Sequence, residues 1–123
     1  RLPKERLLGI PNGSGGGVAV PFGALNDGTP ARVVSVAVGG TEKTVFWNRD
    51  ARTAMAFETS STFTVENGRI VDVGTGSVWS VEGRAVEGPR KGEQLSPVEE
   101  AYVAFWFAWA AFQPETTLWT SSS

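Results

Sequence analysis

The chain has 123 residues, a formal net charge of −2, 41% hydrophobic and 20% charged residues, and neither cysteine nor histidine. Without those two residue types it has no thiol nucleophile, no Cys/His zinc site and no histidine that could act as a general base. Its 11 basic residues are dispersed, which argues against nucleic acid as a partner. Length and composition indicate one globular domain over residues 1–123, and nothing in the sequence indicates a metal or another cofactor.

The segments up to Leu95 favour antiparallel β structure. Short apolar or alternating runs are separated by Gly, Pro, Asn and Asp, with no long amphipathic helix between them. The glycine-rich run at 12–17 lacks the Lys-Ser/Thr and the helix of a phosphate-binding loop, so it predicts a flexible connection. Strands are predicted at Gly17–Val20, Ala31–Val38, Lys43–Trp47, Thr53–Glu58, Phe63–Glu66, Arg69–Val73 and Val78–Val81. The expected fold is mainly β, a curled antiparallel sheet or barrel-like roll.

Asn67-Gly68 between two alternating flanks predicts a β-hairpin with a two-residue turn. The resulting register pairs Glu66 with Arg69, Val65 with Ile70, and Phe63 with Asp72. Asp72 then falls on the apolar face of the hairpin. It either caps the following turn, residues 73–76, or is a partly buried acid with a function.

Thr75, Ser77 and Trp79 follow Asp72 closely. Two hydroxyls beside an indole predict either a polar pocket or a β-turn whose tryptophan lies in the core. A nucleophilic Ser77 would need a base, and no lysine lies in an S-x-x-K spacing, so a carboxylate such as Asp72 would have to act.

The segment 97–112 predicts a helix. Ser96, Pro97 and Glu99 match an N-cap, a first-turn proline and a capping-box glutamate, and an apolar run follows until Pro114. Phe105, Trp109 and Phe112 form a stripe expected to pack against the sheet, whereas Trp106 and Phe107 cover either a second layer or an open partner or membrane-surface contact. About 15 residues are too few to span a bilayer, so no transmembrane segment is predicted in this chain.

Three motifs, over Asp72–Trp79, Gly83–Pro89 and Gly92–Leu95, resemble the D-x-x-T-G-S-x-W, G-x-A-x-x-G-P and G-x-x-L succession of the DUF3179 family of prokaryotic proteins. The opening Leu2–Ile10 and the segment Val20–Phe22 are also similar to that family. The resemblance implies an extracytoplasmic or cell-envelope location, and it implies no defined activity.

The loop Asn48–Arg52 departs from the family. Many members carry C-P-L-C-G here, and the two cysteine positions fall on Asn48 and Ala51. Thiolate chemistry is therefore absent. The loop is interpreted either as a solvated turn or as a small anion-binding site formed by Arg49 and Arg52.

The function expected from these observations is a non-enzymatic, envelope-associated binding or interaction domain for an unknown small ligand or protein partner. Two alternatives stay open: a hydrolase or lyase that uses Asp72 and Ser77, and a structural domain of a larger protein. The candidate binding residues are Asp72, Thr75, Ser77, Trp79, Arg49 and Arg52.

Overall fold

The computed structural model describes residues 5–11, 17–38, 40–98, 100–105, 109 and 116–119. In chain order the elements are β1 (Arg6–Pro11), β2 (Gly17–Pro21), α1 (Phe22–Leu25), β3 (Ala31–Val38), β4 (Thr41–Asn48), β5 (Thr53–Glu58), β6 (Phe63–Glu66), β7 (Arg69–Asp72), β8 (Val78–Trp79), β9 (Ala85–Glu87), β10 (Ser96–Pro97), β11 (Tyr102–Phe105) and β12 (Thr116–Leu118). Within these ranges the strands form three open sheets of four strands each.

The first sheet has the strand order β11-β1-β2-β12. β1 pairs antiparallel with both β2 and β11, and β12 lies parallel to β2. Every residue of β2 is buried. A strand covered on both faces has no polar side to present, which explains why the sequence of β2 is apolar without alternation.

The second sheet, in the order β10-β5-β4-β3, is antiparallel throughout and forms the middle layer. Successive side chains of β4 enter different hydrophobic clusters. Val45 and Trp47 pack with Leu8 of the first sheet, whereas Phe46 packs with Ile70 of the third sheet. Because neighbouring side chains of a strand point to opposite faces, the first sheet covers one face of this layer and the third sheet covers the other.

The third sheet has the order β6-β7-β8-β9 and contains the predicted hairpin. Its register is confirmed: the structure pairs Glu66 with Arg69, Val65 with Ile70, and Phe63 with Asp72. Asn67 and Gly68 have φ values of 53° and 75°. Positive φ at both central residues is what the tight hairpin turn requires, and Asn-Gly accepts it most readily.

The mainly β prediction is confirmed, and all seven predicted strands are present with ends that shift by at most two residues. The curled sheet or barrel-like roll is wrong, because three separate open sheets take its place in the described residues. The physical reason lies in β4 and β5. Both of their faces carry apolar side chains that are packed in hydrophobic clusters, so these strands need cover on two sides, which stacked sheets supply.

The predicted helix over 97–112 is wrong in its first half, where residues 97–98 and 100–105 are described and none of them is helical; Trp109 alone among the described residues of that segment has helical backbone. Ser96–Pro97 pairs with the end of β5, and Tyr102–Phe105 pairs with β1. Of the expected aromatic stripe, Phe105 is 42% exposed on β11, whereas Trp109 is fully buried and packs with Leu7 and Ala19 of the first sheet. Phe112, Trp106 and Phe107 lie outside the described residues.

Tertiary packing overrides the capping signal at Ser96. The backbone N–H of Val98 donates to the carbonyl of Ala56 at 3.0 Å, and the Val98 side chain is buried in the cluster between the first and second sheets. Tyr102–Phe105 contains residue types that favour strands, and β1 offers it a full antiparallel register. A capping box stabilises a helix by about 1 kcal/mol. Burial of the Val98 side chain together with strand pairing at Tyr102–Phe105 stabilises the observed structure by more than that.

Residues 12–16 of the predicted flexible loop lie outside the described residues, and Gly17 belongs to β2. Among the residues that the structure describes, no helix combines the length and apolar composition of a membrane span.

Candidate functional site

The candidate residues divide between two places in the fold. Asp72, Thr75, Ser77 and Trp79 meet in the third sheet, and we call them, together with Arg90, the Asp72 cluster. Arg49 and Arg52 lie in the turn between β4 and β5.

Asp72 is the acceptor at the centre of the Asp72 cluster. The Thr75 backbone N–H donates to Oδ1 at 2.6 Å, and the Thr75 hydroxyl contacts Oδ1 at 2.8 Å and Oδ2 at 2.9 Å. The Trp79 Nε1–H donates to Oδ2 at 2.9 Å. Asp72 therefore caps the turn after β7, as one of the two sequence interpretations proposed, and it is also buried.

The hydroxyl groups continue this network toward Arg90. Because the single hydrogen of the Thr75 hydroxyl is directed to the carboxylate, the Ser77 hydroxyl is the donor in its 2.7 Å contact with Thr75 Oγ1. The Arg90 backbone N–H in turn donates to Ser77 Oγ at 3.0 Å. The hydrogen bonds from Arg90 to Ser77, to Thr75 and to Asp72 thus all run in one direction, toward the carboxylate.

The electrostatics of Asp72 follow from these contacts. Burial disfavours the charged carboxylate and by itself raises the pKa of Asp72. Hydrogen bonds from Trp79 and Thr75, together with the positive charge of Arg90, outweigh burial and lower the pKa from 3.8 to about 2. The carboxylate is therefore ionised at neutral pH and is a weak base.

Arg90 joins the cluster to a second loop. Its guanidinium lies over the Trp79 ring, with Cζ 4.8 Å from the ring centroid, and it donates to Ser61 Oγ at 3.1 Å and to Glu93 Oε1 at 3.0 Å. The backbone of Gly88 packs against Ser77, since a Cβ at residue 88 would lie 2.8 Å from Ser77 Cα. The Gly-Pro motif is thus explained by a close backbone approach.

This arrangement stabilises loops and offers little to catalysis. Ser77 has no exposed surface, and its hydroxyl is engaged by Thr75 and Arg90. A nucleophile needs access to substrate and a base of suitable pKa. A general base works best when its pKa lies near the operating pH, and the pKa of Asp72, at about 2, lies far below neutral pH.

The turn between β4 and β5 separates the two candidate arginines. Asn48 Oδ1 accepts a hydrogen bond from the Ala51 backbone N–H at 2.8 Å, so Asn48 caps this turn. The Arg49 guanidinium donates to the Gly28 carbonyl at 2.6 Å and lies beside Asp50. Arg52 instead lines a cleft in which Arg49 takes no part. The structure therefore does not bring Arg49 and Arg52 together as one anion site.

Arg52 lines a cleft of about 510 Å³ between the first and second sheets. We call this feature the arginine cleft; its lining residues are Arg6, Phe22, Gly23, Asn26, Trp47, Arg52 and Phe105. Arg52 has a φ of 49°, in the left-handed region that non-glycine residues seldom adopt. Backbone strain of this kind concentrates at functional sites.

The charges at the arginine cleft favour an anion. Arg6 lies over the Phe105 ring, with Cζ 5.9 Å from the centroid, and faces Phe105 in the β1–β11 register. In the part of the chain that the structure describes, neither Arg6 nor Arg52 forms an ion pair with a carboxylate. Glu5 contributes one opposing charge nearby, because its Oε2 lies close to Gly23.

Sequence reasoning missed Arg90 in the Asp72 cluster and every cleft residue except Arg52. Arg90 directly follows the Gly-Pro motif, which was a usable signal. Arg6, Phe22 and Trp47 give no comparable signal, because they meet only when the first sheet covers the second.

The described residues contain no group of three or more His, Cys, Asp or Glu side chains placed to hold a metal ion. No curated protein and no solved structure matches this sequence. Residues 1–116 match the family described as "Protein of unknown function (DUF3179)", which covers nearly the whole chain and includes every residue of the Asp72 cluster. The chain therefore belongs to the DUF3179 family.

Proposed function

We propose that this chain is a non-enzymatic, envelope-associated binding domain, and that the arginine cleft is its binding site for an anionic ligand. The observation that carries the proposal is Arg52, an exposed guanidinium without an ion-pair partner in the described residues, held on a strained backbone at the mouth of a cleft. The envelope location rests on the family resemblance.

The Asp72 cluster supports this proposal as a scaffold and supplies no site of its own. Its polar groups form hydrogen bonds with one another and with Ser61, and these bonds join three loops. These polar groups are therefore not available to bind a ligand. Guanidinium groups, by contrast, bind carboxylate, sulfonate and phosphate through paired N–H donors. Arg6 and Arg52 are the described arginines that face the cleft.

The test is a titration of the full chain with inorganic phosphate, followed by ¹H–¹⁵N NMR at constant ionic strength. We expect saturable shifts at Gly23, Asn26 and Arg52, and at least about tenfold weaker binding in Arg52→Gln, which is the loss of one charged hydrogen bond. Arg84→Gln is the matched control, since Arg84 is exposed directly before β9, does not line the arginine cleft, and its substitution removes the same charge. Equal binding by the two variants, or shifts scattered over the surface, would refute the site.

A further inference from the structure

We infer that the ligand of the arginine cleft is an aromatic anion, with its acidic group held by Arg6 and Arg52 and its ring on the aromatic wall. This inference rests on the proposed function and adds the chemical class of the ligand.

Aromatic side chains line the cleft both at its floor and at its rim. Phe22 and Trp47 form a tilted pair, with ring centroids 5.0 Å apart and planes at 60°. Both are buried, so they form a fixed floor, whereas Phe105 is 42% exposed at the rim. Aromatic rings pair in tilted, edge-to-face and offset arrangements, so this wall favours a further ring over a flexible aliphatic chain.

The charged groups reach the cleft from two different layers of the fold. Arg6 belongs to β1 of the first sheet, and Arg52 belongs to the turn beside β4 of the second sheet. Arg6 already lies over an aromatic ring, that of Phe105. A planar guanidinium of this kind binds an acidic group through its edge while its face stays against the ring.

The size of the cleft also exceeds what a simple anion needs. A volume of about 510 Å³ falls within the range of pockets that hold drug-sized ligands, roughly 300 to 1,000 Å³. Three of its seven lining residues are aromatic and two are arginines. A ligand that uses both sets must carry a ring and an acidic group on one compact frame.

The experiment compares three probes on the full chain: naphthalene-2-sulfonate, methanesulfonate and naphthalene-2-methanol. They carry the ring and the anion, the anion alone, and the ring alone. Binding is followed by the Trp47 indole resonance, assigned with Trp47→Phe. This indole N–H has no hydrogen-bond partner among the described residues, so internal hydrogen bonding does not obscure its response.

We expect naphthalene-2-sulfonate to bind at least about tenfold more tightly than either of the other probes, because only it uses both parts of the cleft. Arg52→Gln and Phe105→Ala should each weaken this binding, by about tenfold and threefold. Arg84→Gln and Val86→Ala are the controls and should leave this binding unchanged, since both residues are exposed at or directly before β9 and neither lines the arginine cleft.

The outcomes separate this inference from the proposed function. If both sulfonates bind equally and Arg52→Gln weakens both, the site is a simple anion site: the aromatic inference fails and the proposed function stands. If naphthalene-2-sulfonate binds equally to Arg52→Gln and Arg84→Gln, the proposed function fails as well. Equal affinity for the sulfonate and the alcohol would also overturn the inference, because the charge would then contribute nothing.

Discussion

The indole of Trp79 donates a 2.9 Å hydrogen bond to the carboxylate of Asp72, and both side chains are buried. Trp79→Phe should remove this donor while keeping a ring, and should lower the free energy of unfolding by about 1–3 kcal/mol beyond the lost packing. Urea denaturation measures the change. Trp47→Phe is the matched control, because the Trp47 indole N–H has no hydrogen-bond partner among the described residues. Equal losses in the two variants would contradict a special role for this bond.

Stability should fall in acid as Asp72 takes up a proton. Its folded-state pKa of about 2 lies below the ordinary value of 3.8. The contribution of Asp72, about 2 kcal/mol, is therefore fully present above pH 4 and is lost as the pH falls toward 2. Asp27 adds a loss in the same direction, because hydrogen bonds from Thr29 lower its pKa too.

Asp72→Asn isolates the part that belongs to Asp72. We expect this variant to be less stable than the natural chain at pH 7, and the two urea midpoints to converge between pH 4 and pH 2. A constant difference over that range would contradict the argument. If Asp72→Asn does not fold, NMR titration of the Asp72 carboxyl carbon in the natural chain gives the pKa directly.

Gly88→Ala should be much more destabilising than Gly76→Ala. Both glycines have positive φ, 97° and 73°, so both variants incur backbone strain of about 1 kcal/mol. Only at residue 88 would the added Cβ meet backbone, 2.8 Å from Ser77 Cα, whereas nothing lies within 4 Å at residue 76. We expect a further loss of about 2 kcal/mol from this clash, measured by urea denaturation. Similar losses would show that Gly88 does not pack on Ser77.

Gly9 and Trp109 should be energetically coupled. A Cβ at residue 9 would collide with the ring of the buried Trp109. Gly9→Ala should therefore be strongly destabilising in the natural chain and much less so in Trp109→Leu, with a coupling of about 1–3 kcal/mol in a double-mutant cycle. Additive effects would place Trp109 away from β1.

Arg52→Gly should separate stability from binding. Glycine adopts a φ of 49° without strain, so this variant should be about 1 kcal/mol more stable than Arg52→Ala, which keeps the Cβ. Both variants should bind phosphate equally poorly, because both lack the guanidinium. Thermal denaturation and the phosphate titration measure the two effects. Equal stabilities would mean that residue 52 carries no backbone strain.

The local parts of the structure could be predicted from the sequence, and the long-range parts could not. The Asn67-Gly68 turn fixes its own register, because turn geometry and alternation act over a few neighbouring residues. The Ser96 capping signal is just as local, but the choice between helix and strand at Tyr102–Phe105 depends on the open edge of β1. Arg6 and Arg52 meet for the same non-local reason, through the stacking of two sheets.

The pairing of β12 with β2 has a consequence for how the chain assembles. Thr116 lies beside Gly17, and Phe105 lies beside Arg6, so strands from late in the sequence flank the earliest hairpin on both edges. Such distant partners close a large loop and slow folding. During synthesis the outer edge of β1 stays unpaired until β11 has been made, and the outer edge of β2 stays unpaired until β12 has been made. Over that interval the nascent hairpin presents open strand edges, which can pair with other chains and favour aggregation.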